Sequence, residues 1–177
     1  MIASASTFAI FFALVSDWVF ARRLDVVLGR VPTRWSNHVI LIGGGHMSAR
    51  LAGILRERGQ SAIIVEREAD NPLVSVLRSL GHHVLVADAT KEQTLRLAGA
   101  DRARSLLVLT SQDARNLHIA LIARGLSQAT VWARIDSSLL AHHVTTNSSI
   151  RAGSPLLMAA RAFAEEAQRA AALVPFA

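Results

Sequence analysis

Apolar positions fall into short solid blocks, and the segments between them carry apolar residues at intervals of three and four. Val39, Ile40, Leu41 and Ile42 form the first block, closed by glycines. Residues 62–65, 84–86, 105–109 and 130–135 form four more. Blocks this short, apolar at consecutive positions, predict strands buried on both faces. Between them, 48–58 sets Leu51, Ile54 and Leu55 on one helical face, with Gly59 as the stop. Residues 71–80 predict a second helix, with Pro72 in its first turn and Gly81 past its end. A short helix is expected over 91–98, and a longer one over 113–124 ending at Gly125. Strand and helix alternate, so the predicted class is α/β, with a parallel sheet covered by helices.

The two ends of the chain read differently. Residues 2–21 hold one charged side chain, Asp17, and as a helix would span ~30 Å, the thickness of a bilayer core. Trp18 stands near the far end and Arg22 and Arg23 follow, a flank that places the remaining chain in the cytoplasm. A membrane helix over 1–23 is therefore expected, making a single-pass protein of the cell membrane. A cleaved signal peptide fits less well, because no basic residue precedes the apolar run. A docked soluble helix with Asp17 facing water is the third reading. Residues 24–36 form a basic linker broken by Pro32, the body is expected over 37–150, and 151–177 is expected as an amphipathic helix. In that tail Leu156, Ala160, Phe163, Ala164, Ala167 and Ala171 share one face, with Arg161–Glu165 and Glu165–Arg169 spaced as ion pairs opposite.

Composition removes several chemistries. The 177 residues include no cysteine and no tyrosine, and Lys91 is the single lysine. Disulfide scaffolds, thiol nucleophiles and Tyr/Lys proton relays are excluded. The formal net charge of +6 is almost all arginine, and residues 38–150 hold 12 basic and 9 acidic side chains. Charges this dispersed, without interleaved aromatics, argue against nucleic-acid binding. The pairs His82-His83 and His142-His143 lack the further ligands of a metal site, and no metal is expected. No G-x-S-x-G elbow is present.

The candidate chemistry lies after the first strand. Gly43, Gly44, Gly45, His46, Met47 and Ser48 lead from strand to helix, with Gly43 and Gly45 matching the first two glycines of G-x-G-x-x-G. The first permits the tight turn, and the second lets backbone approach a pyrophosphate seated on the helix N-terminus. Ser48 takes the third position, where a small residue allows close helix–strand packing. His46, in the glycine loop, is a candidate to touch a phosphate, with a solvent-facing first-turn residue as the alternative, and Met47 beside it is a further candidate binding residue. Glu66 closes the second strand, where a carboxylate accepts from ribose hydroxyls and repels a 2′-phosphate. Arg67 beside it counters that preference in part. These features predict a Rossmann-like doubly wound sheet with a nucleotide site.

The stretches His38 to Gly45, Ile64-Val65-Glu66-Arg67, Ala87-Asp88-Ala89-Thr90, Leu109-Thr110, the run from Asp113 to Leu117 around Asn116, and Ala133-Arg134 resemble, in order and spacing, the N-terminal lobe of the RCK (regulator of potassium conductance) domain. That family includes the nucleotide-binding subunits of Trk- and Ktr-type potassium transporters and the tails of two-helix potassium channels. The resemblance implies that Asp88 and Ala89 line the adenine side, that Thr110 sits beside the phosphates, and that Arg134 points into the crevice or toward a neighbouring subunit. It also implies a homo-oligomer, a dimer or a gating ring, attached to a channel or transporter pore. The expected ligand is NAD or NADH, with ATP or ADP second. The expected function is nucleotide-sensing regulation of potassium or other cation transport, without bond chemistry. An NAD-dependent oxidoreductase and a dimerisation module with a vacant pocket are the alternatives. No filter sequence such as T-V-G-Y-G precedes the leading helix, and one helix without a filter makes no pore. The chain is thus expected to be a piece of a longer channel or a membrane-tethered subunit, with the tail helix as a crossover or dimer helix.

Overall fold

A computed structural model describes residues 35–60 and 62–172. The expected membrane helix over 1–23 and nearly all of the 24–36 linker lie outside the described residues. Among the described residues no helix is long and apolar enough to cross a membrane.

Six strands form one sheet: β1 (Val39–Ile42), β2 (Ala62–Glu66), β3 (His83–Val86), β4 (Ser105–Val108), β5 (Thr130–Arg134) and β6 (Ile150–Gly153). The helices are α1 (His46–Glu57), α2 (Leu73–Ser79), α3 (Glu92–Leu97), α4 (Asp113–Leu126), α5 (Ser138–Asn147) and α6 (Pro155–Ala172). The strand order is β3-β2-β1-β4-β5-β6, and every neighbouring pair is parallel. The order reverses between β1 and β4, the arrangement of a doubly wound sheet.

Side chains leave a strand alternately to its two faces. Val39, Leu41, Ala62, Ile64, Val84 and Val86 pack with Ala52 of α1 and Val74 and Leu77 of α2. Ile40, Ile42, Ile63, Val65, Leu106, Val108, Val131 and Ala133 pack with Leu95 of α3, Ile119 and Ala123 of α4, and Val144 of α5. Ile40, Leu41, Ile42, Ile63 and Ile64 are each at most 1% exposed. Burial of one such side chain stabilises by about 1.5–3 kcal/mol.

Several expected boundaries move, each for a local reason. The helix predicted from 48 begins at His46, because Gly45 already serves as its N-cap. α4 runs through Gly125 to Leu126, which packs against the core. A glycine ends a helix by adopting positive φ, and Gly125 does not. Helix α5 and strand β6 were not predicted. Strand β6 buries only Ile150 fully, so its sequence lacks a solid apolar block. The tail predicted as helix over 151–177 therefore starts as a strand and turns helical at Pro155. On α6, Arg169 pairs with Glu166 at 3.4 Å rather than with Glu165. Leu156 and Phe163 of its apolar face are 80% and 77% exposed.

Two polar ties fix the sheet ends. Asn116 on α4 is fully buried. Its Oδ1 accepts from the Thr110 amide at 3.1 Å and the Thr110 hydroxyl at 2.5 Å. Its Nδ2 donates to the carbonyls of Thr110 at 2.9 Å and Arg134 at 2.8 Å. One side chain thereby joins the segments after β4 and at the end of β5. At the opposite pole His38, 3% exposed, places Nε2 2.9 Å from the Ala98 carbonyl, and its Nδ1 has no hydrogen-bond partner. Trp35 sets its ring edge-on to His38 and His83.

Asn116→Ala leaves buried backbone groups of Thr110 and Arg134 unpaired, and should cost about 3 kcal/mol in urea unfolding. His38 and His83 are both held below their ordinary pKa, first of all by burial, with Arg78 adding to the effect at His83. A histidine of depressed pKa binds its proton more readily in the unfolded chain. Its contribution is present above about pH 6.5 and is lost as pH falls through the folded value. Urea midpoints should therefore fall between pH 7.5 and pH 5, and His38→Gln should flatten that dependence.

Candidate functional site

The carboxyl ends of the parallel strands face one side of the sheet, where ligands of doubly wound folds bind. The structure opens a cavity of about 650 Å³ there, within the range of small-molecule sites. All eleven residues singled out in the sequence line it: Gly43, Gly44, Gly45, His46, Met47, Glu66, Arg67, Asp88, Ala89, Thr110 and Arg134.

The glycine loop is shaped by its neighbours. Gly43 has φ +99°, and a Cβ there would stand 3.3 Å from the Thr110 amide nitrogen. A Cβ on Gly44 would meet Glu66 Oε2 at 2.7 Å. Around Gly45 nothing lies within 4 Å of a Cβ position, so the loop is open where the second motif glycine stands. No acidic residue lies in the first turn of α1, which leaves its positive end exposed to an anion. Ser48 is 1% exposed, and its hydroxyl donates to the Gly43 carbonyl. It fills the third-glycine position by bonding the turn and packing close.

Glu66 bridges β2 to this loop. Its Oε2 accepts from the Gly44 amide, and its Oε1 accepts from the Glu68 amide at 2.9 Å. Asn71 adds a longer bond to Oε2 at 3.3 Å while its Oδ1 accepts from the Leu73 amide at the start of α2. The carboxylate is thereby oriented at the mouth of the cavity. Arg67 does not compete for it, because its Nη2 lies 2.9 Å from Glu68 Oε1.

Asp88 sits past β3. It does not cap α3, whose N-cap is Lys91. Its Oδ1 accepts from the Thr90 amide at 3.0 Å and the Thr90 hydroxyl at 2.8 Å. The amide bond, then the hydroxyl bond, outweigh partial burial and hold its pKa below the usual carboxylate value, with Arg115 and Lys91 helping. It is a fixed anion at neutral pH.

The far wall belongs to β4 and β5. Thr110 is positioned by Asn116, as above. Arg134 pairs with Asp136 at 2.7 Å, and Asp136 also accepts from the Ser154 hydroxyl at 2.9 Å. These two bonds, Arg134 first, lower the Asp136 pKa. Asp113 accepts from the Asp136 and Ser137 amides at 3.0 and 2.9 Å, tying the start of α4 to the turn after β5. The cavity wall also includes Glu68, Asn71, Gln112, Arg115 and Ile119, which the sequence pattern did not assign to it. Asn71 had one usable signal, an Asn before Pro72 at a helix start. Arg115 and Ile119 stand one turn apart on α4, a spacing that marks a shared face without saying what it faces.

Residues 39–150 match the TrkA-N domain family. An uncharacterised protein of Methanothermus fervidus is 29% identical over 124 residues, covering 70% of this chain and 19% of that protein. The voltage-gated potassium channel Kch of Escherichia coli is 29% identical over 108 residues, covering 59% of this chain and 26% of Kch. The chain thus spans under a third of either relative. Among solved structures, the TrkA-N domain of the inner membrane protein YbaL from Escherichia coli superposes with a TM-score of 0.66 at 20% identity, covering 75% of this chain and 98% of that domain. A GsuK channel bound to NAD superposes with a TM-score of 0.62 at 20% identity, over 71% of this chain and 22% of the channel. GsuK bound to ADP gives 0.61 at 18% identity, over 70% of this chain and 32% of that one. The six-stranded doubly wound sheet, the glycine loop at its switch point and the match over 39–150 together make this chain a member of the TrkA-N domain family.

Proposed function

We propose that this domain is a nucleotide-sensing regulator of potassium transport across the membrane. Ligand binding would favour one arrangement of paired lobes over another, and that difference would bias a channel or transporter pore. The reading rests most on one observation: Glu66 is locked to the Gly44 amide beside an open Gly45, at the amino end of a helix that carries no acid in its first turn. An anion can approach the open loop, and the fixed carboxylate can accept from ribose hydroxyls 2′ and 3′.

The same geometry favours NAD, NADH, ADP or ATP over NADP. A 2′-phosphate would meet the Glu66 carboxylate, and Arg67 is held by Glu68. Kinship supports the class, since GsuK structures contain NAD and ADP. The cavity offers binding and orientation, and a sensing role uses them without any bond being made or broken. The site residues act as a cradle: the loop for phosphate, Glu66 for ribose, Asp88 for the base, Thr110 and Arg134 as the far wall. The partners in this reading are a second copy of the chain, in a dimer or a gating ring, and a membrane pore. The apolar segment over 1–23 would hold the lobe at the cytoplasmic face of the membrane.

NAD, NADH, ADP or ATP at a hundredfold excess over Kd should stabilise the 177-residue chain by about 2.7 kcal/mol, a rise of roughly 5–10 °C in Tm. NADP should do less at equal concentration, and Glu66→Ala should abolish the rise. Absence of a shift with all four would contradict the proposal. Gly45→Ala separates binding from folding. It meets no neighbour, so it should cost no more than about 1 kcal/mol as an N-cap change. The same methyl should weaken nucleotide binding at least tenfold by isothermal titration, since it fills the path of the phosphate.

A further inference from the structure

Three guanidinium groups line the cavity, and two of them are already committed. Arg67 pairs with Glu68 and Arg134 with Asp136. Arg115 has neither an ion pair nor a hydrogen bond among the described residues, although it is only partly exposed. It acts electrostatically on Asp88 without reaching ion-pair distance. An unpaired cation turned toward a cavity and partly withdrawn from water is a group that a ligand can satisfy.

Its place in the fold says which part of a ligand. Arg115 and Ile119 are one helical turn apart and both reach the cavity wall. Ile119 packs in the same apolar cluster as Ala89. Arg115 acts electrostatically on Asp88, and both stripe residues share the cavity lining with Asp88 and Ala89, which puts the stripe toward the segment after β3. The open Gly45 and the start of α1 lie elsewhere, after β1. Phosphate already has its seat at that loop. What the β3 end lacks is a lid for a flat ring. A guanidinium is planar, weakly hydrated and stacks on aromatic faces, where an ammonium does not.

We infer that Arg115 is a base-clamping specificity residue, its guanidinium lying on the face of an adenine whose exocyclic amine donates to Asp88. This rests on the nucleotide-binding reading above. Ile119 supports the same ring from one turn further along α4. Guanine would turn a carbonyl oxygen toward the Asp88 carboxylate, so the clamp serves adenine nucleotides.

The test is titration calorimetry of the 177-residue chain in detergent solution with AMP and ADP, alongside Arg115→Leu and Arg115→Lys. Stacking on a base contributes enough that both variants should lose about tenfold in affinity. The loss should be equal for AMP and ADP, and lysine should not restore it. A larger loss for ADP than for AMP, rescued by lysine, would show a phosphate contact and overturn the inference. Unchanged affinity in both variants, with the unsubstituted chain binding normally, would overturn it while leaving the sensor reading standing. Failure of the unsubstituted chain to bind either nucleotide would overturn both.

Discussion

Parallel pairing sends the carboxyl ends of all six strands to one side of the sheet, and because the strand order reverses between β1 and β4, right-handed connections put the helices of the two halves on opposite faces. The chain leaves β1 for one face and β4 for the other. No connection crosses the space between them, so a cleft opens at that point whatever the side chains. The backbone at its rim has spent its sheet hydrogen bonds and needs other partners. How this chain supplies them decides what the cleft can hold.

Each half of the sheet has its own tie. On the β1–β3 side, Glu66 binds the Gly44 and Glu68 amides and is steadied by Asn71. On the β4–β6 side, Asn116 and Asp113 bind backbone of the segments after β4 and β5. Ser154 extends this second network to the segment after β6 through Asp136. The ties join strands within a half; at the strand ends the halves meet through the Leu109 amide, which donates to the Ile42 carbonyl at 2.8 Å, and through the close approach of Gly43 to Thr110. A nucleotide lying across the cleft would touch both networks at once. That is a physical route by which ligand binding could alter how the two halves, and lobes packed on them, sit together. The exposed face of α6, with Leu156 and Phe163 in water, leaves apolar surface that such packing would bury.

Much of this was legible because burial on both faces writes itself as unbroken apolar runs. Strands β1 to β3 are of that kind, β4 and β5 are fully buried only at alternate positions yet still carry apolar runs, and the glycine loop and Glu66 follow from their spacing to the first two strands. Strand β6 was hidden because only Ile150 of its four residues is buried, so no apolar block records it. Helix α4 overran its expected end because a glycine permits a stop without requiring one, and Leu126 gains from packing. Asn71 and Asn116 look like ordinary polar helix-start residues in the sequence. Their roles depend on groups that tertiary folding brings near: Glu66 at the mouth of the cleft, and the carbonyl of Arg134, 18 residues away from Asn116. The freedom of Arg115 is likewise visible only once Arg67 and Arg134 are seen to have taken the neighbouring carboxylates.

Amide hydrogen exchange with and without ADP or NAD tests the central claim most directly, because it reports both sides of the cleft in one experiment. If the nucleotide spans the switch point, protection should rise together at 43–47 and 66–68 on one side and at 110–113 on the other. Protection confined to one side, or appearing away from the strand ends while the nucleotide binds, would contradict the account.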